Sequence, residues 1–277
     1  MAINICIAGA TGWVGRALVS ALVKDRTFQL VGAVSRTYRE KRLGEIVGIP
    51  NMDILVSGSV EEALQTKTDV LIDYTGPDAV KGHVLTAVRK GVHVVIGTSG
   101  LADEDFAEID GLAREHGVGV LAAGNFSISA VLLQKFAEIA ANLIPHWEII
   151  DYADAAKIDA PSGTVRELAY RLAKSNKPSY RYAPNEIHGP TESRGATLNG
   201  TQVHCIRLPG HIFAYEVLFG LPSERLTLRH EAGNSADPYV QGTLLAARKV
   251  SSFVGLKRGL DQVMAFPTVL DSTAALG

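Results

Sequence analysis

The chain has 277 residues, 47% of them apolar, with 27 Lys and Arg against 29 Asp and Glu. A formal charge of −2 provides no general field for nucleic acid, and no run approaches the ~20 apolar residues that cross a bilayer, so neither partner is expected. Two cysteines, Cys6 and Cys205, offer neither a metal-ligand spacing nor a disulfide framework; with no leader-like N-terminus, a cytoplasmic protein without a metal site is expected.

From Ile3 to about Ala123, short apolar runs (INICIAG, QLVGAVS, DILVSG, DVLIDYT, HVVIGTS and VGVLAAG) alternate with helical stretches of about 11 to 14 residues. Runs that are apolar on consecutive positions suit parallel strands buried on both faces, with the helices as right-handed crossovers. Residues 1–126 are therefore expected to form a Rossmann-like, doubly wound α/β domain. Ser59 with Glu62 reads as a capping box, and Pro77 as the opening of the helix that leads to Lys90 and Gly91.

An apolar helix from about Ser127 to Leu143, the run EIIDYAD and a polar loop from Asn176 to Asn199 come next. The segments TQVHCIRL, HIFAYEVLF and ERLTLRHEA then alternate at period two, joined by Pro209-Gly210 and by Gly220-Leu-Pro-Ser. That pattern predicts antiparallel strands with one covered face, which lies on helices or on another subunit. Residues 127–236 are expected to be an α+β domain with a mixed or antiparallel sheet. A final helix from about Asp237 to Val254 and the tail, 237–277 in all, are expected to return to the first domain.

The segment Gly9-Ala-Thr11-Gly12-Trp13-Val14-Gly15-Arg16 directly follows the first predicted strand and opens a helix. One glycine permits a tight turn, another lets backbone N–H groups approach a pyrophosphate, and the helix start favours its charge. The spacing is Gly-x-x-Gly-x-x-Gly, so dinucleotide binding is read from the strand and helix around it, the alternative being a purely structural turn. At the end of the second strand, where an NAD-selective site would carry a carboxylate, stand Ser35 and Arg36, followed by Arg39, Lys41 and Arg42. This favours NADPH over NADH. Thr75 and Gly76 follow one later strand, and Gly97, Thr98 and Gly100 the next, at the edge where open sheets bind ligands. Their hydroxyls and glycines suit a ribose and the nicotinamide carboxamide.

In the second half, Lys157-Ile-Asp159-Ala-Pro161-Ser162-Gly163-Thr164 precedes the helical stretch VRELAYRLAK. Hydroxyls and backbone N–H groups at a helix start can hold a carboxylate, and Lys157 can add charge or give a proton. A capped helix after a proline turn is the structural alternative.

Taken together, GATGWVGR, IDYTGP, VIGTSG, AAGNFS, EIID, KIDAPSGT and RLPGHIFAYEVLFG with ERLTLRHEA resemble the dihydrodipicolinate reductase family over nearly the full length. The resemblance implies a two-domain, usually tetrameric enzyme of lysine and diaminopimelate synthesis that moves hydride from NADH or NADPH to a small, acidic, cyclic imine. It assigns Gly9, Gly12, Gly15 and Arg16 to the pyrophosphate, Arg36 to the adenosine ribose or its 2′-phosphate, and Gly97, Thr98 and Gly100 to the nicotinamide ribose. Ala123 to Phe126, with Asn125, match the segment that contacts nicotinamide. Lys157 is implied as proton donor, and Ser162, Gly163 and Thr164 as carboxylate ligands. The family carries two histidines where this chain has Ala153 and Asp154. An anion at Asp154 near an acidic substrate invites neutralisation by Lys157, replacement of the imidazole by His188, His204 or His211, or a different imine as substrate. An imine reductase of other specificity and a nucleotide-binding regulator without turnover stay open at this level.

Overall fold

The computed structural model describes residues 2–266, so the end of the expected C-terminal return, 267–277, lies outside the described residues. The chain divides into two compact units, Met1–Ala123 with Gly242–Gly277, and Gly124–Gln241.

The first unit begins with β1 (Ile3–Ala8), α1 (Trp13–Lys24) and β2 (Phe28–Val34). Buried Gly15, Leu18, Val19 and Leu22 recur along α1 at helical spacing, which lays one apolar stripe on the sheet. Short elements follow: α2 (Leu43–Val47), β3 (Val56–Ser57) and α3 (Val60–Ala63). Most of the predicted strand DILVSG is absent from the sheet because its backbone is bonded elsewhere: Ile54 O accepts from Leu43 N, and Leu55 bridges Arg42. Ser59 caps α3 by accepting from Glu62 N, but the Glu62 carboxylate accepts from Gly58 N rather than closing a reciprocal box.

The remaining elements are β4 (Val70–Asp73), α4 (Val80–Arg89), β5 (His93–Ile96), α5 (Asp103–Glu115) and β6 (Gly119–Ala122). Helix α4 starts after Pro77, which sits in a turn where Gly76 O accepts from Ala79 N and Val80 N. Later in the chain come α8 (Asp237–Lys249) and β12 (Gly255–Arg258), and β12 pairs parallel with β6. The seven strands run in the order β12-β6-β5-β4-β1-β2-β3, and every pair is parallel. Burial on both faces explains the unbroken apolar runs of β1, β4 and β5.

One half-buried histidine makes this unit sensitive to acid. Burial pushes His93 below its ordinary value. In addition, Gly119 N–H donates to His93 Nδ1 at 2.9 Å, a bond that a proton on that nitrogen would break. The unfolded chain therefore binds this proton more readily. The stabilisation is full above the ordinary value near pH ~6.5 and is lost as pH falls through the lower folded one. Melting temperature should drop between about pH 7 and 5, and His93→Gln, which keeps an acceptor without a titrating ring, should flatten that drop in differential scanning fluorimetry.

The second unit contains α6 (Ile128–Leu143), β7 (Trp147–Ala153), α7 (Gly163–Ser175), β8 (Ala196–Leu198), β9 (Thr201–Arg207), β10 (Phe213–Leu221) and β11 (Glu224–Ala232). The predicted loop from Asn176 to Asn199 thus includes a strand as well as short 3-10 turns. Its sheet is mixed, in the order β11-β10-β7-β9-β8. The Pro209-Gly210 turn joins β9 and β10 without making them neighbours. Strand β7 lies between them, parallel to β9 and antiparallel to β10, because its alternating apolar residues complete the face that covers α6 and α7. Trp147 and Ile149 of β7, Val203 of β9, and Tyr215 and Val217 of β10 pack there against Val165, Leu168, Ala169 and Leu172 of α7. The alternate residues Ile150, Ile206 and Leu218 are half-exposed on the opposite face.

Candidate active site

In the first sheet the strand order reverses at β1, which sits between β2 and β4, and the glycine loop leaves its carboxyl end. Open α/β sheets bind ligands at such a reversal. Gly9 N donates to Val34 O at 3.0 Å, and its φ of +84° makes the turn that glycine adopts without strain. Gly15 has a different reason: a Cβ there would lie 2.1 Å from Gly9 O, so only glycine lets α1 pack this close to the strand end. Gly12 is the extended N-cap of α1, offers no side-chain cap, and is followed by no acid in the first turn. The early N–H groups of Trp13, Val14 and Gly15 are thus at a helix start suited to an anion. A cradle shaped by missing side chains and free of carboxylates fits a pyrophosphate.

Arg16 is partly committed to the loop itself, since Nε donates to Thr11 O at 2.9 Å and Nη1 to Ile46 O at 2.6 Å. The Thr11 hydroxyl donates to Ser35 Oγ at 2.9 Å, which joins the glycine loop to the end of β2. Beside it, exposed Arg36 pairs with Asp78 at 3.0 Å.

The two threonines give their protons to one buried carboxylate. Thr75 Oγ1 donates to Asp73 Oδ1 at 2.7 Å and Thr98 Oγ1 donates to the same oxygen at 2.6 Å. A hydroxyl has one proton, so neither can donate to a ligand; only their oxygen lone pairs remain. Gly97 is required by Tyr74, whose ring would lie 2.2 Å from a Cβ there and whose hydroxyl bonds Thr243 Oγ1 at 2.7 Å. Gly100, with φ of +108°, packs on Pro77. Ala123 N donates to Ile96 O at 3.2 Å. Asn125 is 8% exposed, with its carbonyl accepting from Ser127 N, and Phe126 is 1% exposed, so this segment presents backbone more than side chain.

In the second unit, the ends of β7 and β9 and the start of β10 share one edge of the sheet, and the Lys157 segment leaves from it. Lys157 Nζ pairs with Asp159 Oδ1 at 2.7 Å. That ammonium holds the Asp159 carboxyl below the ordinary carboxylate value. Asp154 is therefore not neutralised by Lys157. Its carboxylate accepts from Ala156 N at 2.8 Å and its carbonyl from Lys157 N at 3.0 Å, which shapes the turn that carries the lysine.

Ser162 also departs from its expected role. It caps α7 by accepting from Val165 N, while its hydroxyl donates to Asp151 Oδ1 at 3.0 Å and its N–H to Asp151 Oδ2 at 2.7 Å. With its proton used inside, Ser162 shapes the loop, and the donors left for a carboxylate are those of exposed Gly163 and half-exposed Thr164. Arg207 completes this arrangement: Nη2 donates to Asp151 Oδ2 and to Asp159 O, each at 2.8 Å. Sequence reasoning passed over Asp73, Asp151 and Arg207. The available signal was a carboxylate inside the apolar runs DVLIDYT and EIID. Among the imidazoles considered as replacements, His204 Nε2 bonds Glu148 at 2.7 Å, His211 lies 5.4 Å from the Tyr152 ring, and His188 is exposed.

Comparison with known proteins agrees with this geometry. The family model described as dihydrodipicolinate reductase, N-terminus, matches residues 3–126, and its C-terminal counterpart matches 129–264. The chain is 36% identical over 264 residues to the 4-hydroxy-tetrahydrodipicolinate reductase of Desulfitobacterium hafniense strain DCB-2, covering 95% of this chain and 98% of that one. To the enzyme of the same name from Bacillus subtilis strain 168 it is 34% identical over 262 residues, with the same coverage of 95% and 98%. A solved structure of dipicolinate-bound dihydrodipicolinate reductase from Paenisporosarcina sp. TG-14 superposes with a TM-score of 0.81 at 31% identity, over 95% of this chain and all of that one. A glycine cradle at the strand reversal, a lysine loop on a mixed sheet, and matches that span both place this chain in the dihydrodipicolinate reductase family.

Proposed function

We propose that this chain reduces 4-hydroxy-tetrahydrodipicolinate or its dehydrated cyclic imine, with NADPH preferred and NADH accepted. The observation that carries the reading is the Lys157 loop: an ammonium, a turn built by Asp154 and a helix start with two open donor positions, in a chain of this family. The resemblance to a dipicolinate-bound relative supports an acidic, ring-shaped ligand.

The residues divide the work in a way the chemistry requires. When bound, NAD(P)H supplies the hydride. Gly12 and the first-turn N–H groups of α1 hold the diphosphate, with Thr11 and Ser35 shaping the adenosine side. Gly163 and Thr164 orient a substrate carboxylate, and Lys157 gives the proton that the atom next to the hydride-accepting carbon needs. Asp154, in place of an imidazole, is a turn former. Self-association as a homotetramer is supported by the family and by the half-exposed Ile150, Ile206 and Leu218 on one sheet face; light scattering on the purified protein tests it. A cytoplasmic setting is supported by two free cysteines and a biosynthetic family. Among the described residues, no helix is long and apolar enough to cross a membrane.

A coupled assay that forms the substrate in place, with NADPH and NADH oxidation followed separately, tests the activity. Turnover with neither nucleotide, alongside measurable oxidation of NADPH by another cyclic imine, would overturn the substrate. Cofactor preference has its own test. Arg36→Ala should raise KM for NADPH about 10-fold and leave that for NADH near wild type, because only the 2′-phosphate loses a charge partner. Asp78→Asn should act in the opposite sense by releasing Arg36 from its carboxylate partner. Equal effects on both nucleotides would remove Arg36 from the choice.

A further inference from the structure

Asp73 ends β4 and is fully buried, after the apolar residues Val70, Leu71 and Ile72. A carboxylate in that position is costly unless every lone pair is used, and here donors converge on it. Oδ1 accepts from Thr75 N at 3.1 Å, from Thr75 Oγ1 at 2.7 Å and from Thr98 Oγ1 at 2.6 Å. Oδ2 bonds His83 Nδ1 at 2.8 Å, the imidazole being brought in by α4. The strand already has its place through pairing with β1 and β5, so a buried acid is not needed to hold β4. An apolar residue would serve the core as well or better. What the carboxylate does is orient two hydroxyls at adjacent strand ends.

That orientation has a chemical consequence. Thr98 Oγ1 accepts from Thr75 N at 2.8 Å while giving its proton to Asp73, so one lone pair remains on it; Thr75 Oγ1 keeps two. At the ends of β4 and β5, Thr75 and Thr98 therefore offer acceptors and no hydroxyl proton. Ribose hydroxyls and a carboxamide NH2 are donors that match. His83 matters because its N–H fixes Oδ2 and leaves Oδ1 for the threonines.

We propose that Asp73 and His83 are a positioning pair that holds Thr75 and Thr98 as acceptors for the nicotinamide half of the dinucleotide. This rests on the reading that the dinucleotide lies along the carboxyl edge of the seven-stranded sheet. His83 is the better residue to change, since it is partly exposed on a helix, whereas Asp73 variants risk misfolding.

The test compares binding of NADPH with binding of 2′-phospho-ADP-ribose, which lacks nicotinamide, by calorimetry on full-length protein. His83→Ala should weaken NADPH about 10-fold, the size of one lost charge-assisted hydrogen bond, and leave the fragment within about twofold. His83→Asn, whose side-chain amide can donate from near the Nδ1 position, should restore most of the loss. Equal weakening of both ligands, or no weakening of NADPH, would overturn the pair. A wild-type protein that binds neither ligand would instead overturn the cofactor reading, and the pair with it.

Discussion

Lys157→Ala is expected to lower kcat at least about 100-fold, the smaller end of what a positioned proton donor contributes, with the dissociation constant of NADPH near wild type. The lysine is supplied by a turn in which Asp154 accepts from both Ala156 N and Lys157 N, and its ammonium is held at 2.7 Å by Asp159. Charge and proton can be separated. Lys157→Arg keeps a cation but cannot release a proton near neutral pH, so it should recover substrate binding without recovering kcat. Single-turnover kinetics and NADPH titration distinguish the two. If Lys157→Arg turns over at the wild-type rate, the lysine acts through charge alone and the proton comes from elsewhere.

The second large effect concerns stability. Asp151 is fully buried, and Arg207 is its cationic partner at 2.8 Å. Removing one member of such a pair strands the other, which typically costs about 3–5 kcal/mol. Arg207→Ala should therefore shift the urea midpoint of the second unit's unfolding far below wild type. Asp151→Leu with Arg207→Met strands no charge and should regain part of that loss. It should not regain activity, because Arg207 also holds the Asp159 carbonyl and Asp151 holds Ser162, the two ends of the lysine loop. A wild-type midpoint for Arg207→Ala would show that the pair contributes little.

What could be read in the sequence was what is encoded locally. Consecutive apolar residues at 70–72 and 94–96 gave buried parallel strands, and Gly9 and Gly15 gave a cradle, because burial and Cβ clashes act over a few residues. The placement of β7 between β9 and β10 was not legible. Strand partners are chosen by the match of whole faces, and the Pro209-Gly210 turn does not reveal that Ile149 stands in register with both Val203 and Val217. Nor could the sequence reveal the direction of a hydroxyl proton. Ser162, Thr75 and Thr98 stand in the expected loops, yet each gives its proton to a buried aspartate, 11, two and 25 residues back respectively.

The late position of β12 bears on how this polypeptide matures during synthesis. Residues 124–241 are contiguous and are synthesised before the strand that flanks β6. Until then one side of β6 is an open edge, the kind of backbone that invites mispairing with a neighbouring nascent chain. Slow translation through 242–258 would lengthen that exposure, so the yield of native enzyme in cells should respond to synonymous codon changes there even though the finished protein is identical.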